Sequence, residues 1–434
     1  MNFFLLKISS LYRSVKGKIA FYPTLFALLG LVFAFLMMYL EQLGISGYLV
    51  KNAPLLVVNS GDTGLTILSA CITGLISMMV FSFSMVMVLL NQAASDYSPR
   101  LLPGLISDRR HQIILGIYIS SILFCIFVLF SIQPTGDKYQ VPGFSVLLGI
   151  LFTVTSIYAF IYFIHNISET IQITNILEKI FLDARKRLYY LLEKEKDVAS
   201  TFPATEGWYE YETFKSGYFQ SFSQNDLLSF CKKNETLLEV LLIKGAFVLE
   251  GVPAFRSKKK LDEKAVKDLL NKFYFSREEL VTSNYVLAFK QITEVVVKAM
   301  SPGINDPGTA LNAIDYLTDL LRIRMQKSDL SFISKDGKNF VKTRGVTFKE
   351  LLYNLNAPMR RYCSQDIVVV QKIIKMFTSL MRQETKDPGY HHIIAIEAKR
   401  LLQESRSSLK NEADVETLDQ LSEQVELLMN SSRK

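Results

Sequence analysis

The chain has 434 residues, 49% hydrophobic and 21% charged, with a formal net charge of +8 and a mean hydropathy of +0.21. Its length suggests two or three domains, and long apolar runs confined to the first 165 residues exclude a wholly soluble protein. Four cysteines lie far apart, with no CxxC or Cys/His spacing, which argues against a zinc site or a disulfide framework and fits a reducing cytosol.

The first 20 residues carry Lys7, Arg13, Lys16 and Lys18 and no acid. An apolar span over about 21–40 follows without a small-residue cleavage site, so it reads as an uncleaved first helix. A loop with a single basic residue, Lys51, leads to the second span, 65–90, which holds no charged side chain at all. Roughly 20 apolar residues suffice to cross a bilayer, so this span must tilt or project beyond it. Thr66, Thr73, Ser77, Ser84 and Asn91 are spaced to share one face of that helix, opposite a surface rich in Met78, Met79, Phe81, Met85 and Met87. Two readings fit the stripe. Small and hydroxyl residues let neighbouring membrane helices approach closely, and the same residues line water-filled conduits.

The stretch NQAASDYSPRLLPGLISDRRHQ comes next and gathers Gln92, Ser95, Asp96, Ser98, Pro99, Arg100, Asp108 and Arg109. It reads either as a juxtamembrane elbow with snorkelling arginines or as a coupling element between the spans and the rest of the chain. Further spans over about 113–132 and 144–164 complete four. Positive charge concentrates before the first span, between the second and third, and after the fourth, so both termini are expected in the cytoplasm.

Residues 166–200 read as a helical connector. Ile173, Leu177, Ile180, Ala184, Leu188 and Leu191 form a seam with steps of four and three, a hint of self-association, while Arg185, Lys186 and Arg187 fall on another face, towards solvent or anionic headgroups. Residues 207–257 are rich in aromatic and β-branched residues, with Gly217, Gly245 and Gly251 as punctuation, and read as a small β-rich module. Residues 258–434 read as mainly helical, with patterns over about 276–299, 307–326, 346–382 and 388–430. The fold class expected is therefore an α-helical membrane protein, four transmembrane helices followed by a cytoplasmic α+β region.

One local sequence in the last part is peculiar, KAMSPGINDPGTALNAIDYL. Asp306 is a good N-cap and Pro307 a good first helical residue. The free N–H groups of such a helix start attract anions, with Ser301, Gly303, Asn305, Asp306 and Thr309 as ligand-binding candidates. A well-capped turn between packed helices explains the same residues. No Walker loop, dinucleotide fingerprint, GxSxG or HExxH occurs, and His391 and His392 have no third ligand nearby, so no enzyme, cofactor or metal site is expected. The net charge belongs largely to the topology-setting loops, so nucleic-acid binding is not expected either.

The words LLNQAASDYSPRLLPGLISDRRHQIILGIYI and VVVKAMSPGINDPGTALNAIDYL resemble the two signature blocks of domain-of-unknown-function family 2254, bacterial predicted membrane proteins. The resemblance implies four N-terminal spans followed by a cytoplasmic region across nearly the whole chain, and supplies no activity. The expectation is a homo-oligomeric protein of the bacterial inner membrane, in contact with the lipid bilayer, forming a conduit for ions or small solutes under the control of its cytoplasmic domain. The alternative is a non-conducting, membrane-anchored sensor or scaffold whose cytoplasmic domain binds a partner or a small anionic or polar ligand.

Overall fold

The computed structural model describes residues 20–52, 57–58, 60–96, 109–132, 142–170, 172–195, 202–277 and 284–431, with residues 50, 52, 90, 93–96, 169–170 and 431 described as backbone only. The chain divides into two compact units at residue 172.

The N-terminal unit comprises α1 (Phe21–Gln42), α2 (Ile45–Asn52), α3 (Gly61–Asp96), α4 (Arg109–Ser131) and α5 (Gly143–Thr170). α1, α3, α4 and α5 are long and apolar enough to cross a membrane. Helices suit that task because each satisfies its own backbone hydrogen bonds in hydrocarbon. Small residues set the closest approach between them. A Cβ on Gly30 would lie 2.8 Å from the Cα of Ser120, and one on Gly116 would lie 2.9 Å from Phe26, so glycine is what lets α1 and α4 touch. Ala34, Leu68, Leu75, Phe124, Cys125, Val128 and Val146 fill the interior. The Glu41 carboxylate accepts from the backbone N–H (2.9 Å) and hydroxyl (2.8 Å) of Ser145, and the Ser46 hydroxyl accepts from the N–H of Phe144 (3.0 Å). An acid at the start of α5 satisfies free N–H groups and complements the positive end of the helix.

The C-terminal unit begins with α6 (Ile173–Glu195) and continues through β1 (Tyr209–Glu212), β2 (Gly217–Phe222), α7 (Gln224–Lys233), β3 (Leu238–Val240), β4 (Phe247–Val248), β5 (Pro253–Ser257), α8 (Glu263–Leu270) and β6 (Phe273–Ser276). After α9 (Tyr285–Ala299) and α10 (Pro307–Met325) come the hairpin strands β7 (Ser331–Lys335) and β8 (Lys338–Thr343), then α11 (Phe348–Cys363), α12 (Ile367–Leu380), α13 (Gly389–Ser408) and α14 (Glu412–Ser431). A mixed helical and sheet region thus follows the four apolar helices.

One sheet has five strands in the order β1-β5-β3-β8-β7 and the other has three in the order β4-β2-β6. Their shared core includes Phe219, Leu227, Leu238, Val240, Phe255, Phe273 and Val341. The β-rich part draws on residues beyond 207–257. β6 pairs with β2, and the β7–β8 hairpin enters through a parallel pairing of β8 with β3. Asp336 and Gly337 have φ of 53° and 72°. Two consecutive positive φ values are the demand of a two-residue hairpin turn, which Asp-Gly meets at little steric cost. β6 occupies Ser276, where the helical pattern is expected to begin, and the described helix that follows is α9.

α6 and α9 to α14 pack around a second core. The expected 346–382 helix is two helices. Asp366 ends the first and caps α12, accepting from the N–H groups of Val368 and Val369 at 3.0 Å each. The 388–430 pattern is likewise divided, between Ser408 and Glu412. The seam on α6 is occupied within the chain. Leu177, Ala184 and Leu188 are buried with Phe289, Ile292, Leu317 and Leu321, and Ile173 and Ile180 pack against them. The feature that hinted at self-association is a core contact, because the partners its pattern calls for are α9 and α10 of the same chain.

Truncating Leu188 to Ala is expected to cost about 2–5 kcal/mol, whereas Leu182→Ala, at an exposed position on the same helix, is expected to stay within about 0.5 kcal/mol. Denaturant unfolding of the full chain in detergent checks this. Equal losses at the two sites would contradict the packing of α6.

Candidate functional site

Thr66, Thr73, Ser77, Ser84 and Asn91 all lie on the exposed face of α3. The Thr66, Thr73 and Ser77 hydroxyls donate to the carbonyls of Asp62, Ser69 and Thr73 at 2.8–2.9 Å, bonds within the helix itself. No helix of the same chain covers these positions among the described residues. The buried serine hydroxyls among the described residues of this unit are others, Ser82, Ser121, Ser145 and Ser156, of which Ser145 donates to Glu41 and Ser156 donates to Ser121 at 3.2 Å. In the elbow, α3 runs to Asp96 and Gln92 is exposed. Arg109 opens α4 with its guanidinium 4.8 Å from the centre of the Tyr22 ring. Ser98, Pro99, Arg100 and Asp108, and the side chains of Ser95 and Asp96, lie outside the described residues.

The SPGINDP turn joins α9 to α10. Ile304 and Asn305 donate their N–H groups to the Ser301 carbonyl, both at 3.0 Å, Asp306 donates to the Ala299 carbonyl at 2.8 Å, and the Ser301 hydroxyl donates to the Lys298 carbonyl at 2.7 Å. The Asp306 carboxylate accepts from the Thr309 hydroxyl (2.5 Å) and N–H (3.1 Å). The bond from the Thr309 hydroxyl, more than any other cause, holds its pKa below the usual carboxylate value. Gly303 faces open space and Asn305 takes a positive φ of 48°. These candidates share one exposed turn, and the carboxylate that caps α10 also fills the space an anion would take.

A cavity of about 150 Å³ opens elsewhere in the C-terminal unit, room for on the order of ten waters. Arg187, Lys194 and Glu195 of α6 form one wall. Phe222, Gln224 and Lys244 come from the β-rich part, Asn284 to Val286 from the start of α9, and Arg324, Lys327, Asp329 and Arg344 from the segments around the hairpin. The acids are already committed. Glu195 pairs with Lys327 at 2.8 Å, and Asp329 pairs with the fully buried Arg324, which also donates to the carbonyls of Lys327 (2.9 Å) and Val346 (3.2 Å). Burial works against the charge of Arg324, but Tyr285 and Asp329 outweigh it and hold its pKa above the ordinary value. Arg344 leans towards Glu239, a buried carboxylate also paired with Lys342 at 3.1 Å.

The remaining cations of the lining are without an acid among the described residues. Among the described residues Arg187, Lys194 and Lys244 meet aromatic rings and no carboxylate. Arg187 and Lys194 lie over Tyr190 at 5.1 and 5.2 Å, and Lys244 lies 5.0 Å from the centre of Phe222. Lys194, on the exposed rim, also donates to the amide oxygen of Gln224 at 3.4 Å. The Nε of Arg187 is buried without a hydrogen-bond partner, so this residue is not on the solvated face its neighbours Arg185 and Lys186 occupy. Burial, and next the nearby charge of Arg187, push the Lys244 pKa down. Asn284 ties the pieces together, accepting from the Val286 N–H (3.1 Å) as the cap of α9 and donating to the Lys244 carbonyl (3.2 Å). The site escapes sequence reading because its walls come from positions 187 to 346, and no local motif marks them.

A family model described as predicted membrane protein (DUF2254) matches residues 16–379, most of the chain. The chain belongs to this family. Among curated proteins, it is similar to an uncharacterized protein of Mycobacterium tuberculosis, at 22% identity over 349 residues, and to one of Mycobacterium bovis, at 21%. Each match covers 76% of this chain and 66% of the relative, so the chain spans just under two thirds of the curated relatives it matches. No solved structure matches it.

The cavity and the turn generate separate expectations for this DUF2254 protein. A lysine whose pKa is lowered on folding carries a penalty that is full below the lowered value. The penalty fades as pH rises from that lowered value through the ordinary value of about 10.4. Lys244→Met is therefore expected to raise the melting temperature at pH 7, by an amount that shrinks towards pH 11; a drop at pH 7 would contradict the uncompensated charge. At the turn, Asp306→Ala is expected to cost about 0.5–2 kcal/mol as a lost cap. Because the Asp306 pKa is lowered, this contribution is present above the ordinary aspartate range and disappears as pH falls through the folded value. A mutant that matched wild type at pH 7 would remove the capping role.

Proposed function

We propose that this protein is a sensor of the bacterial inner membrane, anchored by its four apolar helices with both termini in the cytoplasm, and that its C-terminal unit binds a small polar ligand. The observation that carries this reading is the cavity at the junction of α6, the β-rich part and the start of α9, where partly buried polar groups converge. α6 follows the last apolar helix in the sequence after two residues. A ligand bridging α6 to the β-rich part changes the restraints on that helix, which is a direct mechanical route from a soluble signal to the membrane segment.

The test is to purify the full chain in mild detergent, denature it and identify released small molecules by mass spectrometry. A stoichiometric small molecule is expected from wild type and not from Lys244→Glu, which reverses a charge on the cavity wall. If nothing is released, and a mixture of bacterial metabolites leaves the melting temperature unchanged, the sensor reading falls.

A second reading, a homo-oligomeric conduit, is favoured by the exposed stripe on α3, which no helix of the same chain covers among the described residues. In that reading a second copy supplies the missing neighbour. Ser77→Cys and Ser84→Cys are expected to cross-link between copies in membranes, with ion flux in liposomes that bulky residues at these sites abolish. Absence of both cross-linking and flux would leave the stripe facing lipid, where hydroxyls bonded to their own helix are tolerated.

A further inference from the structure

We propose that the cavity of the C-terminal unit is a site for a compact phosphate-bearing anion, inorganic pyrophosphate or a small phosphate ester, seated between Arg187 and Lys244. The inference rests on the ligand-binding reading above and adds the chemistry of the ligand.

Charge balance is the first argument. Lys327 is matched by Glu195, Arg324 by Asp329, and Arg344 leans on Glu239. Arg187, Lys194 and Lys244 meet no carboxylate among the described residues, only aromatic faces and, for Lys194, a neutral amide oxygen. Arg187 and Lys244 are partly buried. Partly buried cations without a counter-charge are costly, and a protein keeps them where an anion completes the site. With Lys194 at the rim as a third positive group, the site calls for a ligand carrying two or three negative charges. Monocarboxylates fall short of that, and phosphate esters and pyrophosphate meet it.

Geometry is the second argument. The wall that faces these side chains includes the first turn of α9, Asn284 to Val286, and the positive end of that helix favours an anion. Asn284 uses its amide nitrogen to hold the Lys244 carbonyl, which fixes the lysine segment against that helix start. Arg187 has a buried Nε without a partner and a planar fork of donors suited to two phosphate oxygens. Size is the third. At about 150 Å³ the cavity is below the usual range for drug-sized ligands, about 300–1,000 Å³. The ligand is therefore compact, with few atoms beyond its charged group. An anion seated here replaces repulsion between Arg187 and Lys244 by attraction to both, drawing α6 and the β-rich part onto one ligand.

The experiment is titration of the full chain in detergent with sodium pyrophosphate, followed by calorimetry and by melting temperature, against sodium chloride at equal ionic strength. Saturable binding with a raised melting temperature is expected, with affinity at least tenfold weaker in Lys244→Met and in Arg187→Met. Lys410→Met, on the exposed link between α13 and α14, is expected to bind as wild type does. Lys194→Met, a surface change that folding tolerates, is expected to weaken binding several-fold even if the inner variants fail to fold. No saturable response in wild type, or the same response in wild type and the Lys194, Lys244 and Arg187 variants, overturns the proposal. Citrate binding as tightly as pyrophosphate overturns the phosphate class. A neutral or cationic molecule released from the purified protein overturns the proposal while leaving the ligand-binding reading in place, and release of nothing together with an unchanged melting temperature in pyrophosphate and in the metabolite mixture removes both.

Discussion

Burial of one face of α6 is the constraint on which the C-terminal unit depends. Leu177, Ala184 and Leu188 lock this helix into the core formed with α9 and α10. Arg187, next to Leu188 in the chain, is thereby held at the edge of that core with its Nε out of water. A free surface helix would let this side chain swing out and keep its hydration. Packing removes that option, and an arginine and a lysine share one cavity at an energetic cost that only a counter-charge relieves. The strain is electrostatic, not conformational, because the backbone of α6 is regular helix throughout.

The β-rich part supplies the opposite wall by a different physical route. Its five-stranded sheet is completed by a hairpin that enters the chain some 90 residues after β3, through a parallel pairing. That pairing carries Arg344 and Val346 to the cavity and sets Lys342 and Arg344 around the buried Glu239 carboxylate. Burial works to raise the pKa of Glu239, but hydrogen bonds from Thr205 and Lys342 and the charges of Lys342 and Arg344 outweigh it and hold the group ionised. Glu239 thus fixes which cations are spent inside the sheet and which remain for the cavity.

The N-terminal unit is governed instead by the need to satisfy polar groups in an apolar setting. Thr66, Thr73 and Ser77 on the outer face of α3 spend their hydroxyl donors on carbonyls one turn back, so this part of the stripe is polar in composition and largely apolar in what it offers a neighbour. Glycines, not hydroxyls, set the tightest helix contact, between α1 and α4.

What the sequence determined by itself is everything that a local rule governs. The apolar runs marked the four long helices to within a few residues of their ends, because hydrocarbon thickness demands that length. Asp306 and Pro307 marked the start of α10, because capping is a matter of neighbouring atoms. The Asp336-Gly337 pair carries the signature of a hairpin turn, but β8 finds its other partner, β3, far away in the chain, and no local rule names it. Only the tertiary structure decided that the α6 seam is filled from within, that the α3 stripe faces outward, and that Arg187 and Lys244 meet with no acid between them among the described residues. Each of these turns on which distant segment supplies the neighbour. A spacing in one segment states what it needs to bury, and the fold chooses what covers it.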